Sequence, residues 1–240
     1  MLGCNLVITW LTTFFAVSYG LCQWLGLKTN LLWTIFIWTL AMVFVAIFEM
    51  MLLFYYDYLE NKGKMYYKEK LCYWLENNSI YDIFSYKMYM DLYADYSLSD
   101  KRYCENVEKV EGSRFVLTGE VIHGIFCIIM APIILYWFFN YNEVNIYLSS
   151  IIFVSIQFAL IVWYLVSVFV EMKFVKNKDF WAPPLLWNVP WVIIPPYVVY
   201  YAVNEILSKI GPISAVVEAT AATAVAVATT GSIPPTAEVN

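Results

Sequence analysis

Long apolar runs separated by short polar breaks dominate the chain. Five runs approach the roughly 20 residues that a bilayer core requires: about 4–25, 31–56, 115–139, 146–170 and 182–206. The breaks are Gly26-Leu27-Lys28-Thr29-Asn30, the stretch Asn140–Asn145 and the charged Glu171–Asp179. The fifth run holds Pro183, Pro184, Pro190, Pro195 and Pro196, so a kinked helix is predicted, with neighbouring groups satisfying the freed carbonyls. Residues 57–113 form one large polar segment with eight Lys/Arg and many tyrosines. Its mixture of aromatic and charged residues predicts short helices at the membrane interface. Residues 210–240, biased to Ala, Val and Thr, are too weakly apolar for a sixth span and read as a mobile, partly helical tail. The predicted fold is therefore all-α: a five-helix transmembrane domain over 1–209 (core about 31–207) with an intramembrane cavity, followed by the tail.

Composition strengthens the membrane reading. Hydrophobic residues make up 62% of the 240 positions and charged residues 14%, against about 25% charged in soluble domains. The net charge is −5 and no basic patch is evident, so nucleic acid is not an expected partner. The five cysteines contain no CxxC, which argues against a disulfide framework or a zinc site. Cys4, Cys22 and Cys127 fall in apolar runs and are expected to pack as small hydrophobes. No phosphate loop, nucleotide fingerprint, haem signature or clustered metal ligands appear, so neither cofactor nor metal is expected. The first run lacks a basic leader and a convincing cleavage site, and no cleavable signal is predicted. Five spans place residues 57–113 and 171–181 on the side of the N-terminus. Most Lys and Arg lie there, which makes that side cytoplasmic and the tail lumenal.

One charge interrupts the second run. Glu49 is the only ionisable residue between positions 31 and 56 with a formal charge at neutral pH, at a cost of about 3 kcal/mol on insertion scales. It lies seven residues before the end of its span, roughly 10 Å below the polar segment. Glu120 lies five residues into the third span, entering from the same side, roughly 8 Å deep. His123, the only histidine, shares a helix face with Glu120 at i+3. Asn188 and Trp191 repeat that spacing near the start of the fifth span. Counting depth thus gathers Glu49, Glu120, His123, Asn188 and Trp191 in one layer. Each has a plainer reading alone: helix–helix glue for Glu49, a dipole-matched helix start for Glu120, a satisfied polar group for His123 and Asn188, a bilayer aromatic for Trp191. Together they describe a cavity. Two carboxyls in different environments divide into an acid and a base, and an indole face attracts positive charge. The chemistry is cofactor-free proton transfer on a lipophilic substrate through a carbocation; a site binding a lipophilic amine would look the same.

Further motifs are spread over about 150 residues. The second span ends Glu49-Met-Met-Leu-Leu-Phe-Tyr55-Tyr56-Asp57. The polar segment carries Asp95-Tyr96-Ser-Leu-Ser-Asp100-Lys-Arg102-Tyr103. The third span opens Gly112-Ser-Arg-Phe115 before Glu120. The fourth contains Val-Ser-Ile-Gln157 with Tyr164 seven residues later, and the fifth reads Phe180-Trp181, Asn188-Val-Pro-Trp191 and Pro195. In order and spacing these resemble the emopamil-binding protein family, the sterol Δ8-Δ7 isomerases of the EXPERA group. The resemblance implies five membrane helices around a cavity open to lipid, residence in the endoplasmic reticulum, and movement of a sterol ring double bond by protonation at C9 and deprotonation at C7. It implies Glu49, Glu120, Asn188 and Trp191 as catalytic residues, with His123 joining them from the depth count. It further implies Tyr56, Tyr96, Asp100, Arg102, Tyr103, Gln157 and Tyr164 as residues that bind the substrate or brace its pocket.

The chain departs from that pattern in places. Val45 stands where the family has histidine four residues before its glutamate, and His123 stands where the family has threonine. Imidazole is therefore expected to have moved to the facing helix. The segment near Cys104–Glu111 is longer than in the family. Expected partners are a sterol substrate and the bilayer, with lipophilic amines and a second copy of the chain as further candidates. A non-catalytic sterol or amine binder of the same fold is the alternative function. A structural membrane subunit and a membrane terpene cyclase also fit an acidic helical membrane protein.

Overall fold

The computed structural model describes the backbone of residues 2–69, 71–98, 100–103, 111–170 and 183–230, with side chains over 2–69, 71–98, 100, 102–103, 116–168, 170 and 188–211. Among these residues the chain is all-helical: α1 (Gly3–Trp24), α2 (Asn30–Glu69), α3 (Tyr86–Tyr96), α4 (Glu111–Phe139), α5 (Glu143–Val170) and α6 (Pro183–Thr230). Three short 3₁₀ turns flank α3, and one isolated bridge joins Leu2 to Asn77. Four helical stretches are long and apolar enough to cross a membrane: Gly3–Trp24, Asn30–Glu69, Val116–Phe139 and Glu143–Val168. They mark a membrane protein. Large side chains such as Ile8, Phe15, Ile122 and Ile129 are exposed along them, as on a surface that meets lipid. The predicted fifth span lies in α6, where prolines, tyrosines and Asn188 dilute the apolar residues.

The breaks between helices have local causes. Gly26 takes φ +63°, Leu27 N–H bonds back to the Cys22 carbonyl at 3.1 Å, and the last turn of α1 closes. Thr29 then accepts from Leu32 N–H at 3.2 Å and starts α2. The α4–α5 turn repeats the device. Tyr141 takes φ +52°, Asn142 N–H bonds to the Trp137 carbonyl, and the Asn142 side chain caps α5 through Asn145 N–H at 3.1 Å.

Two findings revise the expected boundaries. The second helix does not stop at residue 56. It bends at Tyr55 (φ −124°, ψ 22°) and runs on to Glu69. Its polar half fits the helix because one face, Leu59, Gly63 and Tyr66, is buried against the rest of the segment. The last helix continues past residue 209 to Thr230, so most of the segment read as a tail is helical backbone. Residues 231–240 and the charged break 171–181 lie outside the described residues, as does the insertion over 104–110.

Helix α2 packs along α4, and α5 along α6. One core cluster, with Phe36, Met42, Cys127, Phe138, Tyr147 and Phe153, joins these four helices. A second cluster, with Leu6, Leu52, Leu59, Tyr66, Tyr73 and Met88, folds the 57–103 segment against the start of α1 and the bend of α2. Gly3 makes that docking close: a Cβ there would lie 2.2 Å from the Tyr73 carbonyl oxygen, and Gly3 N–H donates to the Glu76 carbonyl at 3.0 Å. Asp95 secures the same junction by accepting from Tyr73 N–H at 2.9 Å and Trp74 Nε1–H at 2.8 Å. The segment and the N-terminus thus share one end of the molecule.

Candidate functional site

A cavity of about 350 Å³ opens between the two core clusters. Its walls are mostly apolar: Val7 and Trp10 from α1, Val45 and Phe48 from α2, Met88 and Leu92 from α3, Leu160 and Trp163 from α5. The polar groups converge on one side. Glu49, Glu120, His123, Asn188 and Trp191 all line it, as the depth count expected.

The α2–α4 seam builds the centre of the site. Gly124 permits the close approach, because a Cβ there would lie 3.2 Å from the Glu49 Cβ and 3.4 Å from the Ala46 carbonyl oxygen. Across that seam His123 Nδ1 reaches both Glu49 oxygens, at 2.8 and 2.7 Å. Both residues are buried. The Glu49 and Glu120 side chains line the same cavity as electrostatic neighbours. Glu120 also accepts from the Tyr103 hydroxyl. The Trp191 ring meets the His123 ring edge to face at 5.0 Å and the Trp38 ring at 5.1 Å.

Behind His123 lies a second polar layer. Its Nε2 is 3.3 Å from Cys127 Sγ and 3.4 Å from Gln157 Nε2. Trp38 Nε1–H donates to Gln157 Oε1 at 2.8 Å. Gln157, expected to bind substrate, therefore spends its amide on protein partners while also touching the cavity. Trp38 and Cys127 were not expected here. Cys127 follows His123 by four residues, so the shared helix face was a signal; Trp38 offered none, since an indole in an apolar run is ordinary.

A third network ties the 57–103 segment to α5 and α6. Tyr164 donates to Asp100 at 3.1 Å, so Tyr96, 2.8 Å from the Tyr164 hydroxyl, donates to Tyr164. Asn188 Nδ2–H donates to the Tyr96 oxygen at 3.2 Å. Arg102 grips Asp100 through Nε and Nη2 at 2.9 and 2.7 Å and donates to Ser167 at 3.0 Å. Asp100 and Arg102 are both 0% exposed. Tyr96, Tyr103 and Tyr164 line the cavity, whereas Tyr56, Asp100 and Arg102 do not. The ion pair lies buried outside the cavity lining and is bonded to Tyr164 and Ser167 of α5. Tyr93, which sequence reasoning passed over, lines the cavity and stacks on Tyr103 at 5.8 Å. Burial pushes the phenols of Tyr93, Tyr96 and Tyr103 above their ordinary range, so these side chains act as neutral donors.

The arrangement can hold a lipophilic body against apolar and aromatic walls and expose one part of it to a carboxyl pair. Among the described residues no group of three or more His, Cys, Asp or Glu side chains is placed to hold a metal ion. Comparison of the chain with protein-family models, curated proteins and solved structures gave no match.

Proposed function

We propose that the chain is a membrane isomerase that moves a sterol ring double bond from C8 to C7. The observation that carries this reading is the Glu49–Glu120 carboxyl pair, backed by His123 and faced by Trp191, at the polar side of an apolar cavity. One carboxyl of the pair delivers a proton to C9. The π electrons of the C8–C9 bond form the new C9–H bond and leave a cation at C8. The other carboxyl removes a proton from C7, and the C7–H electrons become the C7–C8 double bond. The Trp191 indole lines this region and favours the cation electrostatically. The reading takes the first part of α6 as a fifth span, treats the cavity as intramembrane, and assigns the protein to the endoplasmic reticulum. Its substrate would arrive from the bilayer.

Expression in a yeast strain lacking its own isomerase tests the proposal. Sterol profiling should show Δ8 sterol converted to Δ7 sterol, and Glu49→Gln and Glu120→Gln should each lower conversion by roughly 10²–10⁴-fold. Accumulation of Δ8 sterol with the wild-type chain expressed and in the membrane would refute it.

One observation favours a second reading. Val45 lines the cavity one turn before Glu49, where the resembling family has histidine. A sterol or lipophilic-amine binder without catalysis would keep the same walls and lose that proton-handling group. Such a protein would bind a lipophilic amine in a Glu49-dependent manner and return the sterol unchanged.

A further inference from the structure

The Trp38–Gln157 pair behind His123 fixes which way the Gln157 amide faces the imidazole. Trp38 Nε1 carries a hydrogen and cannot accept, so the Gln157 group facing it at 2.8 Å is the carbonyl oxygen. That orientation turns the Gln157 NH₂, a donor, toward His123 Nε2 at 3.4 Å. A protonated Nε2 would set donor against donor. With a bare Nε2, the ring's single lone pair accepts from the Gln157 NH₂, which also donates to Cys127 Sγ at 3.5 Å, itself 3.3 Å from Nε2. The proton of the neutral ring then sits on Nδ1 and points at both oxygens of Glu49. We infer that Trp38 and Gln157 are positioning residues that hold His123 as its neutral Nδ1–H tautomer, aimed at the Glu49 carboxyl.

Each carboxyl of the pair has one protein donor: His123 on Glu49 and the Tyr103 hydroxyl on Glu120. His123 never needs to touch substrate. Its Nε2 faces Gln157 and Cys127, so it works through Glu49.

The effect on sterol conversion rests on the isomerase reading; the tautomer does not. His123 is the only histidine in the chain, so ¹⁵N-histidine labelling gives one imidazole to observe. The purified wild-type protein in lipid nanodiscs should show a single neutral ring protonated at Nδ1. Trp38→Phe frees the Gln157 amide to turn, and the Nε2–H form should appear. Gln157→Glu replaces the NH₂ with an acceptor, and Nε2 should become protonated. A wild-type imidazolium or Nε2–H ring overturns the inference, and so do two variants that melt like wild type yet keep the wild-type imidazole signal. Sterol profiling on the same samples separates the two claims. The expected tautomer without conversion leaves the relay standing and removes the isomerase; conversion with the wrong tautomer does the reverse. Where both hold, Trp38→Phe should lower conversion by roughly 10-fold or more, since a misplaced imidazole proton is expensive in triad-type relays.

Discussion

Asp100→Asn puts a number on the brace that holds the 57–103 segment to the membrane helices. Asp100 and Arg102 are both fully buried, and the carboxylate receives Arg102 Nε, Arg102 Nη2 and the Tyr164 hydroxyl within 3.2 Å. Asparagine keeps one acceptor and removes the negative charge that the buried Arg102 guanidinium faces. Breaking a buried pair in this way costs about 3–5 kcal/mol. In a chain of this size each kcal/mol moves the melting temperature by about 2–4 °C, so the variant should melt about 6–20 °C below wild type. Adding Arg102→Met removes the charge that faced Asp100, and the double variant should recover part of the loss. Thermal unfolding in lipid nanodiscs, followed by tryptophan fluorescence, measures both. A single variant within about 2 °C of wild type, or a double variant that melts lower than Asp100→Asn alone, would refute the idea that the buried pair is the fastener.

Three other outcomes are expected. Gly3→Ala should loosen the junction of α1 with the 57–103 segment, because the added methyl would meet the Tyr73 carbonyl at 2.2 Å; hydrogen exchange over 73–77 should quicken while α4 and α5 keep wild-type protection. Burial pushes the Asp91 carboxyl up from its ordinary 3.8, partly offset by the Tyr58 hydroxyl and Lys62, so the folded chain binds that proton more tightly than the unfolded one. The stabilising contribution is then full below the ordinary value and lost as pH rises through the raised one; Asp91→Asn should gain on wild type in a series of melts taken upward from pH 4, and parallel curves would contradict the assignment. His123→Ala should abolish sterol conversion, and the double variant Val45→His/His123→Ala should regain part of it, since position 45 faces the cavity one turn from Glu49; a double variant as inactive as the single would show that imidazole works only from α4.

Much of the membrane architecture was legible because its physics is local. Run length marks a span, and Gly26 and the Asn140–Asn145 stretch mark turns whose hydrogen bonds close within a few residues. The gathering of Glu49, Glu120 and His123 was also legible, since rise per residue and the i, i+3 relation carry position across a helix. The continuation of α2 to Glu69 was not. Its polar half reads as a loop until Tyr73 and Met88, well beyond it in sequence, supply the surface that buries Leu59 and Tyr66. The partners of His123 were hidden for the same reason. Trp38 and Gln157 stand 119 residues apart and meet only after α2 and α5 have packed about α4. The partners of Asp100 and Arg102 were equally hidden, because the residues that bond them, Tyr164 and Ser167, come from another helix.

Gly124 has a consequence for how such a protein could change its ligand. The contact that seats Glu49 against His123 also fixes the spacing of α2 and α4, so widening the cavity there would separate Glu49 from His123 before it admitted a larger molecule. Met88 and Leu92, which line the cavity from α3, stand outside that seam. Selection for a new ligand, in nature or in the laboratory, should therefore concentrate its substitutions on α3 and leave the α2–α4 seam untouched.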